Sequence, residues 1–230
     1  MTSDHLCLAL DVATAPEALD WVTRTRSVIS TYKIGLQLFC AEGPQIVSAV
    51  RKAGAEQIFL DLKLHDIPNT VASTIHALGR LGVDLLTVHT AGGPQMLEAA
   101  SEAGRAEGVR LLGVTVLTSL LEPDLVKTGV TGTPGAVVAA RARLALAAGI
   151  SGLVCSPNEV SALRQQLGAE PYLVTPGIRL AGSALGDQRR AATPHAAIQA
   201  GASLLVLGRT VREAPNVGET LRRIQQETAS

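Results

Sequence analysis

The chain has 230 residues, 47% of them hydrophobic, with 20 Lys and Arg set against 20 Asp and Glu. That length and apolar content allow one large buried core, and the zero net charge argues against a general nucleic-acid or anionic-membrane binder. The aromatic residues are only Trp21, Tyr32, Tyr172, Phe39 and Phe59, too few for the stacking platforms that hold single-stranded nucleic acid.

The first strand is expected over 6–12, followed by a helix that opens at Pro16 and runs to about 29. A second strand over 31–37 precedes a helix over 44–53, and a third over 57–64 precedes a helix over 68–81. The fourth strand, 85–89, feeds a helix over 94–106. The fifth, 110–118, is followed by an extra segment over 119–133, which has no functional reading, and by an Ala-rich helix over 134–148. A sixth strand over 150–155 leads to a helix over 158–167. The seventh, 171–175, leads to a long loop reaching 190 and a helix over 193–200. The eighth strand, 203–207, precedes a closing helix over 219–228.

The beat is strand then helix, eight times. Many helices open at a proline, whose missing N–H costs nothing there. Several close at a glycine: Gly54, Gly82, Gly108, Gly149, Gly168 and Gly201. Strands such as Ser203-Leu204-Leu205-Val206-Leu207 are apolar on both faces, as strands of a covered parallel sheet must be. These features predict an α/β fold, a single (β/α)8 TIM barrel occupying one domain over 1–230. A doubly wound open sheet is the alternative, and it gives no reason to stop at eight units.

Active sites in such barrels lie at the carboxyl ends of the strands. Here those ends carry Asp11, Lys33, Asp61 with Lys63, His89, Thr118, Ser156, Thr175 and Gly208-Arg209. The strand beginnings are mostly apolar. Alternation along the first strand puts Cys7, Ala9 and Asp11 on the barrel's inner face, and Leu6, Leu8 and Leu10 against the helices.

The densest stretch is Asp61-Leu62-Lys63-Leu64-His65-Asp66-Ile67-Pro68-Asn69-Thr70. Three charges within six residues at the end of an apolar strand are costly unless they pair or do chemistry. Asp61 and Lys63, two apart, share a strand face, and Lys33 belongs to the neighbouring strand. Lys33, Asp61, Lys63 and Asp66 would alternate in sign, with Asp11 nearby. Carboxylate neighbours favour the ammonium form, a proton donor and a poor nucleophile. Lys63 therefore reads as a general acid rather than a Schiff-base lysine. A purely structural ion network, with Asp66 capping the helix at Pro68, is the competing reading.

A second constellation joins 175–188 to Gly208-Arg209. Phosphate sites in these barrels use the loops after the seventh and eighth strands, and arginine offers a bidentate fork for phosphate oxygens. The long Gly-rich loop reads as a lid. A floppy surface loop and a solvated arginine are the plain alternative. His65 and His89 lack a carboxylate at ligand spacing, so they read as packed or hydrogen-bonded. His5, His76 and His195 look peripheral, and Gly92-Gly93-Pro94 is explained by a turn. Cys7, Cys40 and Cys155 are odd in number and form no Cys-x-x-Cys, which fits a reducing cytoplasm. No signal peptide and no apolar run of membrane-spanning length is expected.

On its central motif the chain resembles the orotidine 5'-phosphate decarboxylase family, in its bacterial-like form, almost end to end. Ala9-Leu10-Asp11, Lys33-Ile34-Gly35, Val114-Thr115-Val116-Leu117-Thr118-Ser119, Val174-Thr175-Pro176-Gly177-Ile178-Arg179, Gly186-Asp187-Gln188-Arg189-Arg190 and Leu207-Gly208-Arg209 carry the rest of the resemblance. The Asp-x-Lys-x-x-Asp core alone is shared with related sugar-phosphate decarboxylases.

The resemblance implies loss of carbon dioxide from orotidine 5'-monophosphate to give UMP, the last step of pyrimidine synthesis, without metal or organic cofactor. By motif, Asp11 and Lys33 would bind the ribose hydroxyls, and Lys63 would protonate C6. Asp61 and Asp66 would hold Lys63 and crowd the substrate carboxylate, and Thr118 would face the pyrimidine. Arg179, Gln188, Gly208 and Arg209 would hold the phosphate, with Ile67 and Pro176 also against the substrate. A homodimer is implied, in which Asp66 and Thr70 reach the neighbour's site. The competing activities are a metal-dependent sugar-phosphate decarboxylase or isomerase, a Schiff-base aldolase, and a non-catalytic barrel that binds a nucleotide phosphate.

Overall fold

The computed structural model describes residues 3–180 and 191–229. Eight parallel strands close into a barrel in the order β1 to β8, with β8 returning to β1. They are β1 (Ser3–Leu10), β2 (Ile29–Gly35), β3 (Gln57–Leu64), β4 (Leu85–His89), β5 (Arg110–Val114), β6 (Gly152–Val154), β7 (Tyr172–Pro176) and β8 (Leu204–Leu207). The described helices are α1 (Ala15–Thr25), α2 (Leu36–Glu42), α3 (Gln45–Ala53), α4 (Pro68–Gly79), α5 (Gly93–Glu107), α6 (Glu122–Lys127), α7 (Pro134–Ala147), α8 (Pro157–Leu167), α9 (Pro194–Gln199), α10 (Arg209–Arg212) and α11 (Val217–Ala229).

Strand alternation produces two cores. Cys7, Ala9, Phe59, Leu85, Leu112, Val174, Leu204 and Val206 fill the barrel interior. Leu6, Leu8, Leu10 and their counterparts on other strands pack outward against the helices. The inward and outward series expected for β1 are thus as placed. The helices present narrow apolar stripes to this outer layer. α1 buries Ala18, Trp21, Val22 and Thr25, a helical spacing. α3 buries Ile46, Val47 and Val50, each worth about 1.5–3 kcal/mol when fully withdrawn from water. Proline stands in the first turn of α1, α4, α5, α6, α7, α8 and α9.

Several boundaries differ from the sequence reading. The fifth strand stops at Val114, not Thr118, because its neighbours run out: Val114 pairs with His89 and Val154, the last residues of β4 and β6. β2 begins at Ile29, where it pairs with Ser3, and ends at Gly35. The next residues form α2 rather than more strand. Three short helices were not expected: α2, α6 within 119–133, and α10 directly after β8. α2 and α6 each bury one apolar residue, Leu38 and Leu125, a signal too sparse to read as a helical stripe.

Candidate active site

The carboxyl ends of the strands surround a cavity of about 330 Å³. Neighbouring register builds it. Lys33 lies opposite Ala9 on one side and Phe59 on the other, all three facing the barrel interior. Asp11 and Asp61, each two residues further along, therefore stand above Lys33, and its long side chain rises between them. Gly35 leaves room for this: a Cβ there would stand 3.3 Å from Asp11 Oδ1 and 3.4 Å from Lys33 Nζ.

The charges form a line of alternating sign. Lys33 Nζ is 3.0 Å from Asp11 Oδ1 and 3.5 Å from Asp61 Oδ2. Lys63 Nζ is 2.8 Å from Asp61 Oδ1. Burial alone would lower the Lys33 pKa, but Asp61 and Asp11 beside it raise it above the ordinary lysine value. Burial would likewise push Asp61 up, yet Lys33 and Lys63, with hydrogen bonds from Lys63 and Thr87, hold it below the usual carboxylate range. Both groups are ionised at neutral pH. Both side chains line the cavity, that of Asp61 14% exposed and that of Lys63 34%, so Lys63 is the more accessible member of the pair.

Lys63 reaches this position by an irregular route. Leu60 pairs with Leu86 and Leu64 with Val88, so β3 spends four residues where β4 spends two. Among the described residues Lys63 is the one non-glycine at positive φ, 51°. Strand alternation alone is therefore not what turns it toward Asp61. Its N–H donates to Thr87 Oγ1 at 2.9 Å, and Thr87 Oγ1 donates to Asp61 Oδ1 at 3.0 Å.

The cavity wall beyond the β7 and β8 ends is cationic. Arg179, Gly208, Arg209 and Arg212 line it, together with Pro176 and Gly177. Arg179 is buried, and its guanidinium donates to Thr210 Oγ1 at 2.7 Å and to the Ile178 carbonyl at 3.2 Å. Burial, then the nearby Arg209, lowers the Arg179 pKa, which still leaves an arginine charged. Gly208 precedes α10, and no atom occupies the space where its Cβ would be. Thr118 lines the cavity beside Leu117. Gln188 lies outside the described residues.

Asp66 does not join the line of charges within its own chain. It is exposed, and its Oδ1 accepts the Ile67 N–H at 2.6 Å. His65, Asp66, Ile67 and Pro68 border a separate depression with Ala91 and Gly92. Thr70, on α4, is also exposed and does not line the main cavity. The intrachain alternation is thus Asp11, Lys33, Asp61, Lys63, with Asp66 exposed where the chain leaves β3.

The His65 and His89 rings stack with centroids 5.3 Å apart. His89 Nδ1 accepts the Ala91 N–H at 3.2 Å, and burial, then His65, pushes its pKa down to about 4. It is a neutral, hydrogen-bonded residue, as its sequence context suggested. Among the described residues no three His, Cys, Asp or Glu side chains converge as metal ligands would.

A sequence profile for one family covers residues 4–224. The chain belongs to the Orotidine 5'-phosphate decarboxylase / HUMPS family. It is 48% identical over 222 residues to the orotidine 5'-phosphate decarboxylase of Anaeromyxobacter sp. (strain K), covering 96% of this chain and 97% of that protein. It is 43% identical over 230 residues to that of Nitrosomonas europaea, covering 100% of this chain and 99% of the relative. The crystal structure of orotidine 5'-phosphate decarboxylase from Lactobacillus acidophilus matches it with a TM-score of 0.85 at 31% identity, over 98% of this chain and 99% of that one.

Two residues in contact with the line of charges lie outside the family motifs. Arg212 donates to the Asp11 carbonyl at 2.9 Å, and its Nη2 is 4.0 Å from Asp11 Oδ2, so it adds a positive end to the line of charges. Its spacing of three from Arg209 would have flagged it had a helical turn been read after β8. Thr87 carried no signal, because threonine is an ordinary strand residue.

Proposed function

We propose that this enzyme removes carbon dioxide from orotidine 5'-monophosphate and leaves UMP, using its own side chains and neither metal nor organic cofactor. The observation that carries the reading is the alternation Asp11, Lys33, Asp61, Lys63 at the barrel mouth, facing a cationic rim that suits a phosphate. The C6–carboxyl bond breaks, the electron pair stays on C6, and carbon dioxide departs. Lys63 then transfers a proton from its ammonium group to C6 and recovers one from solvent. With no electron sink in the ring, a fixed ammonium beside the developing carbanion is the stabilising charge. Asp61 holds Lys63 in place and repels the substrate carboxylate, a repulsion that ends as carbon dioxide leaves.

Asp11 and Lys33 take the ribose hydroxyls in this reading, and Thr118 faces the pyrimidine. Arg179, Gln188, Gly208 and Arg209 hold the phosphate, and Pro176 lies against the substrate. Binding energy from the phosphate, remote from the reacting carbon, offsets the repulsion at the carboxylate. We further propose a homodimer in which Asp66 and Thr70 complete the partner's site. Support comes from Asp66, which is exposed and absent from the lining of its own cavity, and from the exposed Leu36 (52%) and Ile67 (66%) beside the mouth. No described helix is long and apolar enough to cross a membrane.

The test is turnover of orotidine 5'-monophosphate with a chelator present, followed by the substrate's absorbance. Lys63→Ala is expected to lower kcat by at least about 1,000-fold while UMP still binds. Activity lost to chelator would favour a metal-dependent decarboxylase. Wild-type-like turnover in Lys63→Ala would remove its assigned role. UMP binding without any wild-type turnover would leave only a nucleotide-binding barrel.

A further inference from the structure

The irregularity in β3 leaves a question that the line of charges does not answer. Between the pairs Leu60–Leu86 and Leu64–Val88, β3 has two residues more than β4, so the regular ladder stops. Lys63 sits in this stretch at φ 51°, a conformation that side-chain-bearing residues seldom adopt. Such a backbone persists only where its surroundings hold it. Its N–H has left the strand pattern and needs another acceptor.

Thr87 supplies it. Its side chain comes from β4, is wholly buried, and follows Leu85 on the interior face of the barrel. A hydroxyl can accept and donate at once. Thr87 Oγ1 accepts the Lys63 N–H at 2.9 Å and donates to Asp61 Oδ1 at 3.0 Å. That same Oδ1 receives the Lys63 ammonium at 2.8 Å. Backbone, carboxylate and ammonium thus form one closed circuit through a single hydroxyl. The branched Cβ of threonine restricts its rotamers, which fixes the direction of both bonds. Thr87 is absent from the cavity lining, so it acts through its neighbours.

We propose that Thr87 is the positioning residue of the reaction: its hydroxyl holds Lys63 in its left-handed backbone and Asp61 in its rotamer, and so aims the ammonium at the reacting carbon. The inference rests on the proton-donor role proposed above for Lys63. Valine has threonine's shape and neither hydrogen-bonding function. Serine keeps the hydroxyl and loses only a methyl group.

The experiment compares wild type, Thr87→Val and Thr87→Ser in full-length protein. It measures kcat and KM for orotidine 5'-monophosphate, UMP affinity by calorimetry, and the crystal structure of the valine variant. A misplacement of about 1 Å near a reacting centre costs on the order of 100-fold, so Thr87→Val is expected to lose about 10- to 100-fold in kcat. KM and UMP affinity should stay within about threefold, and Thr87→Ser should keep kcat within about threefold, because cavity and hydroxyl are retained. The valine structure should show Lys63 out of its left-handed conformation or its Nζ away from Asp61. An unchanged kcat in Thr87→Val, equal losses in both variants, or an unmoved Lys63 would overturn the proposal. If the valine protein does not fold, Thr87→Cys carries the same comparison: its weak hydrogen bonding should place kcat below serine, and a cysteine equal to serine overturns the proposal. A wild type inactive on this substrate would refute the proposed reaction, and the position of Lys63 in the valine structure would then decide the role of Thr87.

Discussion

Arg209 and Arg179 sit across the cavity from Lys63, so their work is separable from the chemistry. Hydrogen bonds to charged groups are worth about 1.5–3 kcal/mol each, so if Arg209 holds the phosphate bidentately, as proposed, Arg209→Ala should lower kcat/KM by about 100- to 10,000-fold. Binding of orotidine, which lacks the phosphate, should be unaffected, and competition binding of the two ligands checks this. The pH dependence of stability points to a different residue. Asp61 is held below its ordinary 3.8, so its contribution is present above that pH and lost only as pH falls through the depressed value. Lys33 is held above its ordinary 10.5, so its contribution is full below that pH and lost only in stronger alkali. Neither titrates in mild acid. His89 does: its folded value is about 4 against an ordinary 6.5, so in that window the unfolded chain binds a proton that the folded chain refuses. The melting temperature should therefore fall as pH is lowered from 6.5 toward 4, and His89→Gln should flatten that slope. An equal slope in wild type and variant would assign the loss elsewhere. Lys33, Asp61, Lys63, Arg179 and Arg209 were legible in the sequence because a charge at the end of an apolar strand is chemically conspicuous. Thr87 and Arg212 were not, since their importance lies in partners that only register and a helical turn bring close. The direction of Asp66 was unreadable for a related reason, because strand alternation ends where the chain turns.

Elements explain why a short polar stretch can hold this geometry. β3 matches its expected span, yet the pairing shift inside it could not be read from alternation, which assumes a regular ladder. α2, α6 and α10 were missed because each is under two turns and buries little. The long helices and the eight strands were legible because apolar spacing, prolines and closing glycines agree along the chain. The barrel interior sets a strict volume limit on β6. A Cβ at Gly152 would overlap the Leu112 Cδ2 methyl and stand 3.2 Å from the Leu111 carbonyl oxygen. Gly152→Ala is expected to destabilise the protein by about 1–3 kcal/mol through overpacking. Urea unfolding reads this directly, and an unchanged midpoint would mean that Leu112 swings aside without cost.

At the level of the whole molecule, the mouth of the barrel serves both the cavity and the surface around it. Leu36 and Ile67 are exposed there, and so is Asp66 beside Ile67. If a second copy covers this face, two defective chains should complement each other. Lys63→Ala mixed with Asp66→Asn gives hybrids with one intact site, so activity should recover to about a quarter of wild type under random exchange. No recovery, or a monomer by light scattering, would remove Asp66 from the neighbouring site. Closure of the sheet has a consequence during synthesis. Leu6 finds its partner Leu205 only after nearly the whole chain has been made. At roughly 5–20 residues per second, the ribosome needs on the order of 10–50 s to deliver that partner. Until then the free edge of β1 has backbone groups open to any passing strand. The nascent polypeptide is thus most vulnerable to aggregation just before its last strand emerges, and that interval is when a chaperone has the most to shield.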